Sequence, residues 1–251
     1  MSIARTRQRP DGTATAVAAV PATPAGRLGA LGFVHWPGAV SAACVAQAGA
    51  QADPAAQAMD EDDAGTRDLL AHPACAALVA PLRRRLAGVG ALDRDAVAVQ
   101  CTLFRKSGAR NWKVGWHQDL CVPVAGRVEC AQLSGWSRKQ GVDFVQPPAE
   151  LLERLTIVRL HLDPCESDDG PLRVVPASHR HGRLGMAQAR ALRARSGEVE
   201  CSAQPGDLLI MRPLLLHASS KAARPQGRRR VLHFLFGPRE PGYGLRWSMT
   251  I

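Results

Sequence analysis

The chain has 251 residues, 46 % of them hydrophobic, and 32 Lys and Arg against 22 Asp and Glu give a formal net charge of +10. That length allows one or two domains with a sizeable buried core, and no apolar run reaches the roughly 18 residues a membrane span needs. Aromatic residues are scarce (5 Phe, 5 Trp, 1 Tyr) beside 23 Gly and 18 Pro, which disfavours a protein that grips single-stranded nucleic acid by stacking bases.

Residues 1–25, rich in Ala, Thr and Pro, lack the continuous apolar segment of a secretory signal and read as a disordered tail ahead of one domain over 26–251. The stretch from Gly26 to Ala58 is Ala- and Gly-rich, with the apolar run Leu31-Gly32-Phe33-Val34, and Asp60 to Asp63 mark a turn. Thr66 can cap a short turn through Leu70. Pro73 opens a helix over Ala74 to Leu86 that Pro81 can kink, with Arg83, Arg84 and Arg85 near the end where cations suit the helix dipole. Beyond Gly90 the pattern changes to short strands: Val97 to Phe104, Thr156 to Leu162, Leu172 to Val175, Asp207 to Met211 and Arg229 to Phe236. Met186 to Arg195 reads as a helical insertion, and Asp-Gly, Pro-Gly and Gly-Pro punctuate the rest. Helices first and strands after predict a mainly β, α+β fold, a sandwich or barrel with an N-terminal helical flank.

Seven cysteines, at 44, 75, 101, 121, 130, 165 and 201, include no Cys-x-x-Cys pair. This argues against a disulfide framework or structural zinc and for reduced thiols in the cytoplasm. The chemistry concentrates in Trp116-His117-Gln118-Asp119 and a distant Leu216-His217-Ala218-Ser219. Two imidazoles and one carboxylate on one face of a metal leave three positions open, the arrangement non-haem Fe(II) oxygenases use. In extended backbone His117 and Asp119 point the same way, so both can meet one ion while the third ligand arrives from another strand. His-x-acid alone is weak: with 8 His and 22 acidic residues it arises by chance roughly 0.7 times. His161-Leu162-Asp163 is a second instance, and periodicity does not choose between them.

Longer blocks do choose. Leu103-Phe104-Arg105-Lys106, Asn111-Trp112 and Trp116-His117-Gln118-Asp119 resemble the first metal-binding region of the phytanoyl-CoA dioxygenase family. Arg159-Leu160-His161-Leu162-Asp163 leading to Asp169-Gly170-Pro171-Leu172-Arg173-Val174-Val175-Pro176-Ala177-Ser178-His179-Arg180 is similar to its second block. Pro205-Gly206-Asp207 to His217-Ala218-Ser219-Ser220, then Arg229-Arg230-Val231-Leu232-His233, is similar to its third.

The resemblance implies a double-stranded β-helix, the jelly-roll or cupin-like core, with Fe(II), 2-oxoglutarate and O₂ as the reacting partners. It implies His117, Asp119 and His217 as the metal ligands. The spacing agrees, because five strands need about 40–60 residues between the two regions, and Asp119 and His217 stand 98 positions apart. His161 is then a strand residue lining or supporting the pocket. One arginine of Arg228, Arg229 and Arg230 would meet the far carboxylate of 2-oxoglutarate through its planar fork; alignment with the family's strand favours Arg229, with the other two left open as edge charge. Ser219 matches a hydroxyl bonding the same carboxylate and Gln118 a polar neighbour of the cosubstrate, while Thr102 and Arg159 line the pocket.

The implied reaction is hydroxylation of a C–H bond in a small molecule, with succinate and CO₂ released. Asp119 favours it, since related halogenases lack that carboxylate. Alternatives are a nucleic-acid or nucleotide demethylase, prompted by the +10 charge but disfavoured by the few aromatics, and a non-catalytic metal-binding scaffold. His35, His72, His179 and His181 read as ordinary core or surface histidines and Trp112 as core, a reading also open to Trp116. Gly135 to Pro148 reads as a loop over the pocket, its Arg138-Lys139 pair able to meet an anion. Two residues depart from the family: Arg105 stands where an acid is common, and Ala177 replaces a turn glycine, so the turn either avoids positive φ or carries its cost.

Overall fold

The computed structural model describes residues 21–57, 65–107, 111–223 and 228–251. Helix α1 (Pro24–Leu31) begins inside the stretch read as tail: Thr23 accepts a hydrogen bond from the Gly26 N–H, Pro24 fits the first turn, and Gly32 at φ +81° ends it. After β1 (Phe33–Trp36) comes α2 (Ala42–Gln57), a helix that Ala-rich sequence favours by intrinsic propensity. Then follow β2 (Gly65–Thr66) and α3 (Pro73–Gly88), which runs on through Pro81. Thr66 therefore lies in a strand, and the short 3₁₀ turn over Leu69–Ala71 follows Asp68 instead. The turn expected at Asp60 to Asp63 lies outside the described residues.

The remaining elements are β3 (Val97–Lys106), β4 (Val114–His117), β5 (Val122–Val124), β6 (Ser134–Lys139), β7 (Val142–Gln146), α4 (Ala149–Glu153), β8 (Thr156–His161), β9 (Leu172–Val174), α5 (Met186–Ser196), β10 (Val199–Cys201), β11 (Leu208–Met211), β12 (His217–Ser219) and β13 (Arg229–Gly237). All pairings between strands are antiparallel. One sheet runs β1-β11-β8-β13-β3-β2, a second β10-β9-β12-β4, and a third β5-β7-β6. This is the mainly β, jelly-roll architecture the sequence predicts. The segment Gly135 to Pro148 is not a loop: most of it forms the β6–β7 hairpin, joined by Gln140 and Gly141, both at positive φ. Consecutive positive φ values give the turn whose twist matches the flanking strands.

Strand alternation separates two cores. Val158 and Leu160 of β8, with Leu232, Phe234 and Phe236 of β13, pack outward against Leu28, Val79 and Leu86 of the helices. Ile157 and Leu235 face the other way, toward Val122, Val145 and Val174. Period two then sends Arg159, His161, Arg229 and His233 inward as well. Polar groups thus line the interior of the roll.

Two glycine turns fix the frame. Gly206 sits at φ +89°, and a Cβ there would lie 2.3 Å from the Val40 carbonyl oxygen, so only glycine fits. Next to it, Asp207 accepts from the N–H groups of Gly38 and Gln204 (both 2.8 Å) and pairs with His35 Nε2 at 2.9 Å. The Pro205-Gly206-Asp207 block is a bracket joining β1 to β11. Among the described residues no helix is long and apolar enough to cross a membrane, and all seven cysteines are free thiols.

Candidate active site

β12 lies beside β4, with His217 directly opposite His117 and their ring centroids 4.2 Å apart. Asp119 follows β4, held by its backbone N–H on the Pro213 carbonyl at 2.9 Å. Each imidazole has its Nδ1 at 2.8 Å from a carbonyl two residues back, Gly115 for His117 and Leu215 for His217. A carbonyl only accepts, so both Nδ1 atoms carry the hydrogen and both Nε2 lone pairs are open. Those Nε2 atoms stand 3.7 and 3.6 Å from the Asp119 carboxylate oxygens. Asp119 Oδ2 is buried without a hydrogen-bond partner. Among the described residues this is the one cluster of three His, Cys, Asp or Glu ligand atoms that lie within 4.8 Å of one another.

Burial alone would raise the Asp119 pKa, yet the neighbouring His217, His233, His117 and Arg159 hold it below the usual carboxylate value. Burial pushes His217 down to about 4, keeping the ring neutral as metal coordination requires. Unprotonated lone pairs, a carboxylate and no competing hydrogen bonds fit a divalent cation. His161 stays apart from the cluster. Its ring is buried, both nitrogens lack partners, and burial with Arg159 and Arg229 nearby lowers its pKa to about 3.

Further into the roll lie three buried cations: Arg229, Arg159 and Lys106. Arg229 donates through Nη1 to the Gly170 carbonyl (2.5 Å) and lies 3.4 Å from Ser219 Oγ; its Nε has no partner. Lys106 donates to Ser219 Oγ at 2.8 Å and to the Ser220 carbonyl, with its ammonium 5.5 Å from the Trp112 ring centre. Burial, reinforced by Arg229, lowers Lys106 to about 7. The same two causes bring Arg159 to about 10. Sequence reasoning missed Lys106 as a site residue. Its signal was the inward face of β3, shared with Thr102 and Phe104. Buried positive charge of this kind fits a dianion, the charge of 2-oxoglutarate.

Of the other expected residues, Thr102 is buried on the cavity wall and accepts from Gln100 Nε2 at 3.0 Å. Gln118 also reaches the wall, but its amide is committed to backbone: it donates to Gly182 and Leu214 and accepts from Leu184. It braces two loops rather than offering a free amide to a cosubstrate. Arg230, left open as edge charge, is buried and forms a bidentate pair with Asp163 at 2.8 Å on each contact, while Arg228 stays exposed. Trp116 is half-buried, with the Arg173 and Arg193 guanidinium groups 5.5 and 4.8 Å from its ring centre. His233, also missed, lines the cavity and takes a 3.1 Å contact from Arg159. The cavity beside the triad measures about 260 Å³.

The phytanoyl-CoA dioxygenase (PhyH) family model matches residues 31–231. The chain belongs to this family. Membership makes it an iron- and 2-oxoglutarate-dependent oxygenase, with Fe(II) and 2-oxoglutarate as its cofactors. Solved structures agree in fold. AviO1 from Streptomyces viridochromogenes Tue57 is 19 % identical with a TM-score of 0.63, over 88 % of this chain and 96 % of that one. EctD from S. alaskensis, solved with 2-oxoglutarate and 5-hydroxyectoine, is 20 % identical with a TM-score of 0.65, over 95 % and 87 %. The 2-oxoglutarate-dependent epimerase SnoN from nogalamycin biosynthesis is 15 % identical with a TM-score of 0.62, over 88 % and 86 %. A comparison with curated proteins returns no match.

Proposed function

We propose that this family member hydroxylates a C–H bond of a small-molecule substrate in the cytoplasm, through a single oxygenase domain over 26–251, releasing succinate and CO₂. The observation that carries the site assignment is the convergence of two Nε2 lone pairs on an Asp119 carboxylate whose buried Oδ2 has no other partner. His117, Asp119 and His217 would hold the iron. Arg229, with Ser219 and Lys106, would receive the far carboxylate of 2-oxoglutarate, and Arg159 and Thr102 would line its path. The bound cofactors supply the oxidising chemistry.

The chain's own residues prepare the reaction. Gly115 and Leu215 fix the histidine tautomers, so ligation needs no proton rearrangement. Phe104, Phe144, Leu155 and Leu235 on the cavity wall exclude water around the bond to be oxidised. A cavity of about 260 Å³ supports a small molecule over a polymer. The neighbouring folds include an epimerase, so the outcome at the substrate carbon rests on substrate placement rather than on the roll itself.

The test is succinate release by iron-loaded protein incubated with cell extract, alongside a mass gain of one oxygen in a small molecule. Asp119→Ala and His217→Ala are each expected to abolish both. Turnover that survives chelation of the metal would overturn the reading. Absence of a charge-transfer band on adding 2-oxoglutarate to the anaerobic Fe(II) protein would favour the scaffold alternative.

A further inference from the structure

Polar side chains on the cavity wall stand in an ordered row. His233 of β13 lies directly opposite Thr102 of β3, and both line the cavity that His117 and Asp119 also line. Side chains paired in this way have Cβ atoms about 4.5–5.5 Å apart. Two positions along β3, on the same face, Gln100 lines the cavity as well. The row therefore runs across β13 and then along β3, beside the triad.

Each member has its polarity set by a neighbour. Arg159 Nη1 stands 3.1 Å from His233 Nδ1, and a guanidinium only donates, so the ring hydrogen is on Nε2. The ring also meets Phe104 edge to face, with centroids 5.4 Å apart and planes at 82°, which holds its orientation. Thr102 Oγ1 accepts from Gln100 Nε2 at 3.0 Å, and its own hydrogen is left to donate. With Nε2 turned to Thr102, the Gln100 amide keeps Oε1 as its accepting end. The order is donor, donor, acceptor. Phe144, Ile157 and Leu235 line the same cavity, and hydrogen bonds made between apolar walls are stronger than those made in water.

We propose that the substrate carries an amide-type group, a carbonyl with an adjoining N–H, as in a carboxamide, a lactam or a peptide-like bond. Its carbonyl oxygen accepts from His233 Nε2 and Thr102 Oγ1, and its N–H donates to Gln100 Oε1. An ester or a carboxylate offers the carbonyl but sets a second oxygen against Oε1. An amine lacks the acceptor that the two donors require. The oxidised carbon then lies next to the amide; that statement rests on the oxygenase reading, whereas the amide preference belongs to the wall itself.

The experiment uses the anaerobic Fe(II) protein saturated with 2-oxoglutarate, with the charge-transfer band reporting that iron and cosubstrate are in place. Equilibrium dialysis then measures N-methylhexanamide, methyl hexanoate and N-methylhexylamine as probes of matched shape. Hexanoate joins them because Arg67 and Lys139 also line the cavity. The amide is expected to bind about tenfold tighter than the ester and the amine. Gln100→Leu is expected to bring amide and ester level. His233→Phe, which keeps a ring against Phe104, is expected to remove most of the amide's lead over the amine. An amide that binds no tighter than the ester or the amine, or hexanoate binding tightest, overturns the assignment. So does a lead that both variants retain. The wild-type order decides even where a variant loses the band. If wild type gives no band, the oxygenase reading fails, and the same four probes on metal-free protein decide the amide preference.

Discussion

Arg159 Nη1 stands 3.1 Å from His233 Nδ1, and an arginine can only donate. Nδ1 of His233 is therefore the acceptor, and the ring hydrogen sits on Nε2. Because the ring lines the cavity, that N–H is offered to whatever binds there. Burial, then the nearby Arg159 charge, lowers the His233 pKa to about 3. In ¹⁵N-resolved imidazole spectra of metal-free protein, His233 is expected as the neutral Nε2–H tautomer, still so near pH 5, where a free histidine is mostly charged. Arg159→Met is expected to give a mixture of tautomers. An Nδ1–H signal in wild type refutes the assignment.

If Lys106 meets the cosubstrate as proposed, it gives 2-oxoglutarate binding a pH dependence. Its pKa is lowered to about 7, so the free site loses positive charge as pH rises through that value. A bound dianion favours the ammonium and raises the pKa in the complex. Affinity for 2-oxoglutarate is then level below about pH 7 and falls above it, by up to about tenfold per pH unit until the pKa of the complex is reached. Calorimetry between roughly pH 6 and 9 checks this, and Lys106→Met should bind weakly with no slope over that range. A flat wild-type profile removes Lys106 from the carboxylate site.

The three arginines of the 228–230 tract separate by consequence. Asp163→Ala leaves the buried Arg230 guanidinium without its bidentate partner and is expected to cost about 3 kcal/mol in denaturant unfolding. Arg228→Ala, at an exposed side chain 3.9 Å from the same carboxylate, is expected to change stability by less than about 0.5 kcal/mol. Equal costs would mean that Asp163 is held by something other than Arg230.

Ala177 holds φ +62°, the conformation that glycine adopts freely. Its N–H donates to the Leu31 carbonyl at 2.8 Å, so the turn is tied to α1 and cannot relax. Ala177→Gly is expected to raise stability by about 0.5–1 kcal/mol, the relief of left-handed strain less the entropy that glycine loses on folding. Unchanged or lower stability in urea denaturation would show that the methyl group earns its place through packing.

What the sequence made legible followed chemical singularity. His117, Asp119 and His217 stand in blocks too specific to arise by chance, and the strands carrying them alternate clearly. Lys106 and His233 sit on inward positions of β3 and β13, but a single Lys or His at such a position carries no spacing signal. Arg230 reads as edge charge in the sequence because its surroundings come from elsewhere in the chain: α2, whose Gly49 carbonyl accepts from it at 3.3 Å, covers the face on which it lies. Helix α2 itself has so many alanines that polar and apolar residues mark no stripe. The β6–β7 hairpin was hidden by Gly135, Gly141 and two prolines, which punctuate a loop and a tight hairpin alike.

Among the described residues β4 is the last strand of its sheet, bonded on one side, to β12, through a register that shifts between His217 and Ser219. Two of the three proposed ligands bridge that weak seam, and Asp119 follows it directly. An ion held there would act as a clasp on a fraying border, so acquiring metal and zipping the roll shut become one event. Amide hydrogens of Val114 to His117 should accordingly exchange fast in the stripped protein and slowly once iron is bound, and a cell short of iron would hold this chain with its seam ajar.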